Sequence, residues 1–313
     1  MSGCWGKWAI GAAGVILVAG CARRLGQAQN AVVCTTGMVA DLARRVGEPE
    51  VEVHALMGAG TDPHLYKPTE GDLQRLAKAA LVLYNGLHLE GKMSLILERL
   101  RRVRATVAVA EAIPSDLLRY PTESAGSIRH ATASPPDPHV WHDVSLWRYA
   151  LRRATDALCE RFPRHARSFR TRSQLYDKEL QSLHAWCQAQ LALIPPAQRV
   201  LITSHDAFGY FGRAYGLEVR SLQGISTLSE YGLRDLRALV EFIVQRRVKA
   251  IFAESSISPR ALQAVMAGCR QRGHIVRLGG TLYSDALGPR GSGADTYPGM
   301  IRHNVRTIVS ALR

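Results

Sequence analysis

The chain is short of acidic residues and lacks the motifs that mark many enzymes and nucleic-acid binders. Forty lysines and arginines face 26 aspartates and glutamates, a formal charge of +14. Such an excess invites a polyanionic partner. The arginines, however, are strewn at helical spacing through "LERLRRVRATV", "LRRATDALCERFPRHARSFR" and "VQRRVKA", with no recognition motif beside them. They read as solvated helix faces that suit anionic lipid headgroups, and no nucleic-acid partner is expected. There is no Gly-x-x-x-x-Gly-Lys-[Ser/Thr] loop, which excludes P-loop nucleotide hydrolysis, and no His-Glu-x-x-His helix. None of the six cysteines forms a Cys-x-x-Cys pair, so neither a zinc ribbon nor a thioredoxin-like motif is indicated. Cys34, Cys159, Cys187 and Cys269 are expected as buried free thiols.

Long apolar runs are equally scarce. One opens the chain in "MSGCWGKWAIGAAGVILVAGC", where Lys7 precedes an apolar stretch from Trp8 to Ala19 that is short for a bilayer span. Its small-small-Cys ending, "LVAGC", resembles a bacterial lipoprotein signal. That resemblance implies a signal over residues 1–20, cleavage before Cys21 and lipid attached to Cys21, which would tether the protein outside the cytoplasmic membrane. A signal anchor or a buried helix is the other reading of the run.

The remaining chain, about 290 residues, is long enough for two lobes. Short β-branched runs alternate with helical patterns. In the first half strands are expected at 31–36, 51–57, 80–85 and 105–110, and in the second at 199–204, 217–222, 248–254 and 274–280. Thr69 with Asp72 signals a helix start. Alternation of this kind indicates an α/β fold with a roughly four-stranded parallel sheet in each half. Helices are expected over 143–161 and 164–194, the second closed by Pro195-Pro196. A helix of that length would run about 45 Å, either as a stiff spine between lobes or as a surface helix on one of them. The expected division is 21–163 for the N-terminal lobe, 164–194 for the linking helix and 195–313 for the C-terminal lobe, with 121–136 as a polar loop.

Against this background one tripeptide repeats. Asp-Pro-His occurs in "TDPHLYKPT" and again in "PPDPHVWHD", 75 residues later. Proline fixes φ and biases the preceding residue to an extended conformation, so each step is a stiff pedestal for an imidazole. In open parallel sheets ligands bind beyond the carboxyl ends of strands. His64 follows the second strand, His205 directly follows the fifth, and Asp285 follows the last, while His139 enters before the connecting helices. Three imidazoles and a carboxylate match what a borderline divalent metal accepts. Other roles exist for single members: His205-Asp206 could cap a helix, and Asp285 could be a turn residue. His142 and Glu254 are candidates to stand behind the ligands, Glu254 as the one that orients an imidazole.

The segments "DPHLY", "LYNGLHLE", "DPHVW", "HDAFGYF", "GLQGIST", "IFAESS" and "YSDALG" closely resemble the TroA-like solute-binding proteins of metal ABC transporters, in order and spacing, from Cys34 to the C-terminus. The resemblance implies two α/β lobes joined by one long helix, with the metal in the cleft between them. It places the ligands on His64, His139, His205 and Asp285. It implies a monomer that binds zinc, with manganese or iron as alternatives, and delivers it to a membrane permease driven by a separate ATPase. Manganese-preferring relatives often carry glutamate at the position of His205, and a nitrogen ligand there moves the site toward zinc. The His-rich loop of many zinc carriers is lacking, since 121–136 holds only His130. His142 stands where relatives usually carry an apolar residue. No enzymatic activity is expected; a surface metalloprotein with an adhesin or hydrolytic role is the alternative.

Overall fold

A computed structural model describes residues 30–120, 135–228 and 231–313. The expected signal, Cys21 and His130 lie outside the described residues. The first half contains strands β1 (Ala31–Cys34), β2 (Glu52–Ala55), β3 (Leu81–Tyr84) and β4 (Thr106–Ala108). They form one parallel sheet in the order β2-β1-β3-β4. Helices α1 (Gly37–Gly47), α2 (Glu70–Lys78) and α3 (Ser94–Arg101) alternate with them. Side chains alternate across a strand, and here both faces are covered. Val32, Cys34, Leu81 and Leu83 face the main core, whereas Val33, Val82 and Tyr84 face a second cluster with Leu76, Met93 and Leu97. Helix α2 starts in a complete capping box: Thr69 Oγ1 accepts from Asp72 N, and Thr69 N donates to Asp72 Oδ2. The short Asp side chain closes the box as Glu does elsewhere.

Two helices cross the middle. Helix α4 (Val144–Arg161) is capped by Asp143, and α5 (Ala166–Leu191) follows after one 3-10 turn. At 26 residues α5 is about 39 Å long. Phe169, Ser173, Tyr176, Leu180, Leu183, Cys187 and Leu191 form its buried stripe, at three- and four-residue intervals. That stripe packs on α1 and α4 at one side and on the C-terminal helix α9 (Tyr297–Leu312) at the other, so α5 bridges both halves.

The second half supplies β5 (Val200–His205), α6 (Gly209–Tyr215), β6 (Glu218–Gln223), α7 (Leu233–Gln245), β7 (Ala250–Glu254), α8 (Arg260–Gln271) and β8 (Arg277–Leu282). Its four strands pair as β5-β6 and β7-β8, both parallel, with β5 and β7 side by side. The carboxylate of Glu254 accepts from the backbone N–H groups of Ser204 and His205 where β5 meets β7. Strand β8 begins three residues later than the apolar run suggests. Ile275 is 77% exposed, and the strand runs through Gly279-Gly280, a pair that reads locally as a breaker. A Cβ on Gly279 would lie 2.6 Å from Phe252 and 2.8 Å from Ala311, so only glycine lets the sheet and α9 approach. Cys34, Cys159, Cys187 and Cys269 are free and buried. No helix among the described residues is long and apolar enough to cross a membrane.

A buried histidine-carboxylate cluster between the halves

The two Asp-Pro-His steps have the same local construction. Asp62 Oδ1 accepts from His64 N at 2.8 Å, and Asp137 Oδ1 accepts from His139 N at 3.0 Å. Each aspartate thus closes a turn onto the histidine two residues ahead, and proline holds the step extended. The rings converge. His64 Nε2 lies 3.2 Å from His139 Nε2, and His64, His139 and His205 have ring centroids 5.2–6.0 Å apart. Asp285 closes the group from the turn after β8: Oδ1 is 3.4 Å from His139 Nε2 and Oδ2 is 3.3 Å from His205 Nε2. One donor atom from each of His64, His139, His205 and Asp285 falls within 4.8 Å of all the others, and all four residues are buried.

A cluster this tight is the size of a site for one metal ion. Ligand bonds of about 2.0–2.1 Å put neighbouring tetrahedral donors about 3.3 Å apart; three contacts here are that short, two of them through different oxygens of Asp285. His205 Nε2 and Asp285 Oδ1 are buried without a well-formed hydrogen bond among the described residues. A buried polar atom left this way is costly unless something else satisfies it, and a cation at the centre would do so.

Carboxylates behind the rings set which nitrogen faces inward. His139 Nδ1 is 2.7 Å from Asp137 Oδ1, and His205 Nδ1 is 2.6 Å from Glu254 Oε2. His139 Nδ1 is hydrogen-bonded to its carboxylate and His205 Nδ1 sits in ion-pair contact with Glu254, so each Nε2 is left facing the cluster. Burial would lower both pKa values, but the carboxylates outweigh it. Asp137 and Asp285 raise His139 to about 9, and Glu254 and Asp285 raise His205 well above its ordinary value. Burial opposes ionisation of Asp285, yet the same two imidazoles hold it well below the usual carboxylate range. His64 has no such partner and burial lowers it to about 3. Both shifts favour the imidazolium forms beside the Asp285 carboxylate in the metal-free cluster.

His142 does not join the group. It lies in the 3-10 turn Val140–His142, stacks on Phe208 at 4.3 Å and contacts the carbonyl of Ser284 through Nε2 at 3.1 Å. Trp141 Nε1 donates to the same carbonyl at 2.9 Å. Two first-half side chains thus hold the residue before Asp285. Glu254, the last residue of β7, stands behind His205. Sequence reasoning overlooked Asp137 and Asp62 as hydrogen-bonding groups, although their position two residues before each histidine is the signal for such a turn. It also overlooked Asn85 and Glu90 within "LYNGLHLE". Glu90, fully buried, accepts from Thr35, Asn85 N and Gly86 N, and Asn85 Nδ2 donates to the carbonyl of Pro138.

Two α/β halves bridged by a long helix, with a buried three-histidine, one-carboxylate cluster at their junction, define a bilobal binding protein. The model of the zinc-uptake complex component A family, periplasmic (ZnuA), matches residues 32–311, and the chain belongs to that family. It is 45% identical to the manganese-binding lipoprotein MntA of Bacillus subtilis over 285 residues, covering 91% of this chain and 90% of that one. It is 46% identical to the zinc-binding protein TroA of Treponema pallidum over 281 residues, covering 90% and 88%. The solved structure of that periplasmic zinc-binding TroA superposes with a TM-score of 0.85 at 45% identity, covering 91% of this chain and 99% of that chain. Fe(III)-bound YtgA of Chlamydia trachomatis superposes with a TM-score of 0.79 at 28% identity, covering 90% and 97%.

Proposed function

We propose that the protein captures a divalent transition metal outside the cytoplasmic membrane and passes it to an ABC permease for import. His64, His139, His205 and Asp285 serve as the ligands. The observation that carries this reading is the convergence of one buried donor atom from each of the four residues within 4.8 Å. Relatives named for zinc and manganese, and one solved with Fe(III), support metal as the cargo.

Three imidazole nitrogens and one carboxylate favour zinc, because imidazole suits zinc and an oxygen-rich set suits manganese. Four protein donors fill a tetrahedral site and leave no open position for a catalytic water, so the protein carries metal without hydrolysing a substrate. The lobes divide at 21–163 and 195–313, with 164–194 as the link between them. Lipid on Cys21 holds a monomer at the membrane, where a separate ATPase drives the permease.

The test is elemental analysis of protein from Ala22 onward, stripped with chelator and offered zinc, manganese and iron together. One ion per chain is expected, with zinc in excess, and none in the His205→Ala variant. Absence of bound metal in the unaltered protein would overturn the reading.

A further inference from the structure

Arg119 lies outside the cluster, between the two halves. Its Nη1 donates to Asp137 Oδ2, the carboxylate that holds His139 Nδ1. Its Nη2 lies 3.8 Å from Asp206 Oδ2, next to His205 in the chain. The backbone is tied as well: Arg119 N donates to Tyr210 Oη at 2.9 Å, Tyr210 Oη donates to the carbonyl of Asp137 at 2.9 Å, and Asp137 N donates to the carbonyl of Arg119 at 2.8 Å. Gly209 makes room for the guanidinium, since a Cβ there would lie 1.3 Å from Arg119 Nη1. The glycine of "HDAFGYF" is thus the cradle of an arginine from the other half.

Charge balance gives this arrangement a purpose. Asp137, Glu254 and Asp285 all have fully buried side chains. With neutral imidazoles and a divalent ion among them, three carboxylates leave one uncompensated negative charge. A net charge in a buried site is unfavourable, and a guanidinium beside Asp137 offsets it in part, since it also faces Asp206. Arg119 is the arginine in contact with one of those three carboxylates, and its side chain is 28% exposed. Its planar fork also aims Asp137, which in turn aims His139 Nε2.

We propose that Arg119 is a positioning residue for metal capture: it holds and partly neutralises Asp137 behind His139 while braced on Asp206 and Gly209 of the second half. This rests on the cluster being the metal site. Arg119 touches no ligand directly and acts through the Asp137–His139 pair. Because the brace comes from the opposite half, the aim of a first-half ligand depends on how the halves meet.

The experiment measures zinc affinity by chelator competition in the unaltered protein, Arg119→Gln, Arg119→Lys, Asp137→Asn and the Arg119→Gln/Asp137→Asn double variant. The visible spectrum of the cobalt-loaded forms reports ligand geometry. Arg119→Gln is expected to weaken zinc binding about 10- to 100-fold, the range for groups that orient a metal ligand. Arg119→Lys, which keeps the charge but loses the fork, is expected to lose less. In the Asp137→Asn background the Arg119 change is expected to add little, and the cobalt spectrum shifts in Arg119→Gln. Should the unaltered protein bind no zinc, the metal-site reading itself fails. Unaltered affinity and cobalt spectrum in Arg119→Gln overturn the role of Arg119 alone. So does a full additive loss in the double variant. Thermal melting of the metal-free variants separates misfolding from weakened binding, and Arg119→Lys carries the test if Arg119→Gln does not fold.

Discussion

Thr227 Oγ1 donates to Asp62 Oδ2 at 2.7 Å, joining the segment after β6 in the second half to the first Asp-Pro-His step. The other oxygen of Asp62 holds the backbone of His64. One carboxylate therefore senses the opposite half and positions a cluster residue. Thr227→Ala removes only this tie. A lost hydrogen bond of ordinary strength corresponds to about two- to tenfold in affinity. Metal release into excess chelator, followed by stopped flow, is expected to quicken by that factor, with the association rate little changed.

Proton competition sets the pH dependence of binding. Despite burial, neighbouring carboxylates raise His139 to about 9 and His205 well above its ordinary value, which favours the charged forms in the metal-free protein. Their ε-protons must leave before a metal can bind. The range from pH 5 to 8 lies below the pKa of His139, and His205 is shifted in the same direction. Affinity is thus expected to rise with pH across it, by about tenfold per unit for each proton displaced. Unperturbed histidines would give a curve that flattens above about 6.5. Calorimetry in buffers of differing ionisation enthalpy counts the protons released.

Metal should also stabilise the fold, because the four cluster residues come together only in the folded chain. At a free concentration of about one hundred times Kd, the gain is about 2.7 kcal/mol. The melting temperature of the unaltered protein is expected to rise on zinc addition, and that of Asp285→Ala to stay nearly constant. Differential scanning calorimetry reads both.

His142 makes the metal-free protein acid-sensitive. Burial lowers its pKa to about 3, so it is neutral when folded, whereas the unfolded chain takes up a proton near 6.5. Its contribution is fully present above 6.5 and is lost as pH falls from there toward 3. The slope it adds is about 1.4 kcal/mol per unit. Urea unfolding from pH 7 to 4.5 is expected to show a shallower decline in His142→Gln than in the unaltered chain.

The spine helix offers a control away from the cluster. Tyr176 on α5 donates to Asp41 on α1, and both are buried. Burial pushes the Asp41 carboxyl up, against the pull of Tyr176 and Arg45. Tyr176→Phe leaves that carboxyl short of a donor and is expected to cost about 1–3 kcal/mol of stability. Zinc affinity should be unchanged, since neither residue touches the cluster.

The alternation of strands and helices was readable because its signals are local. The β-branched run at Ala31–Cys34 marks a strand, and the long stretch closed by Pro195-Pro196 marks the spine. The Thr69–Asp72 start and the Asp143 cap depend on neighbours in sequence, so they too could be read. The convergence of His64, His139, His205 and Asp285 was suggested by strand ends, since a parallel sheet gathers such positions along one edge. Sequence patterns did not reveal the pairing of the second-half strands, the late start of β8, or what stands behind each ring. Those depend on partners far along the chain: Glu254 with β5, Phe252 against Gly279, Arg119 in the space left by Gly209. A histidine's aim and charge arise from which carboxylates and donors surround it after burial. Local periodicity determined the framework here, whereas close packing between distant segments decided the chemistry of the cluster.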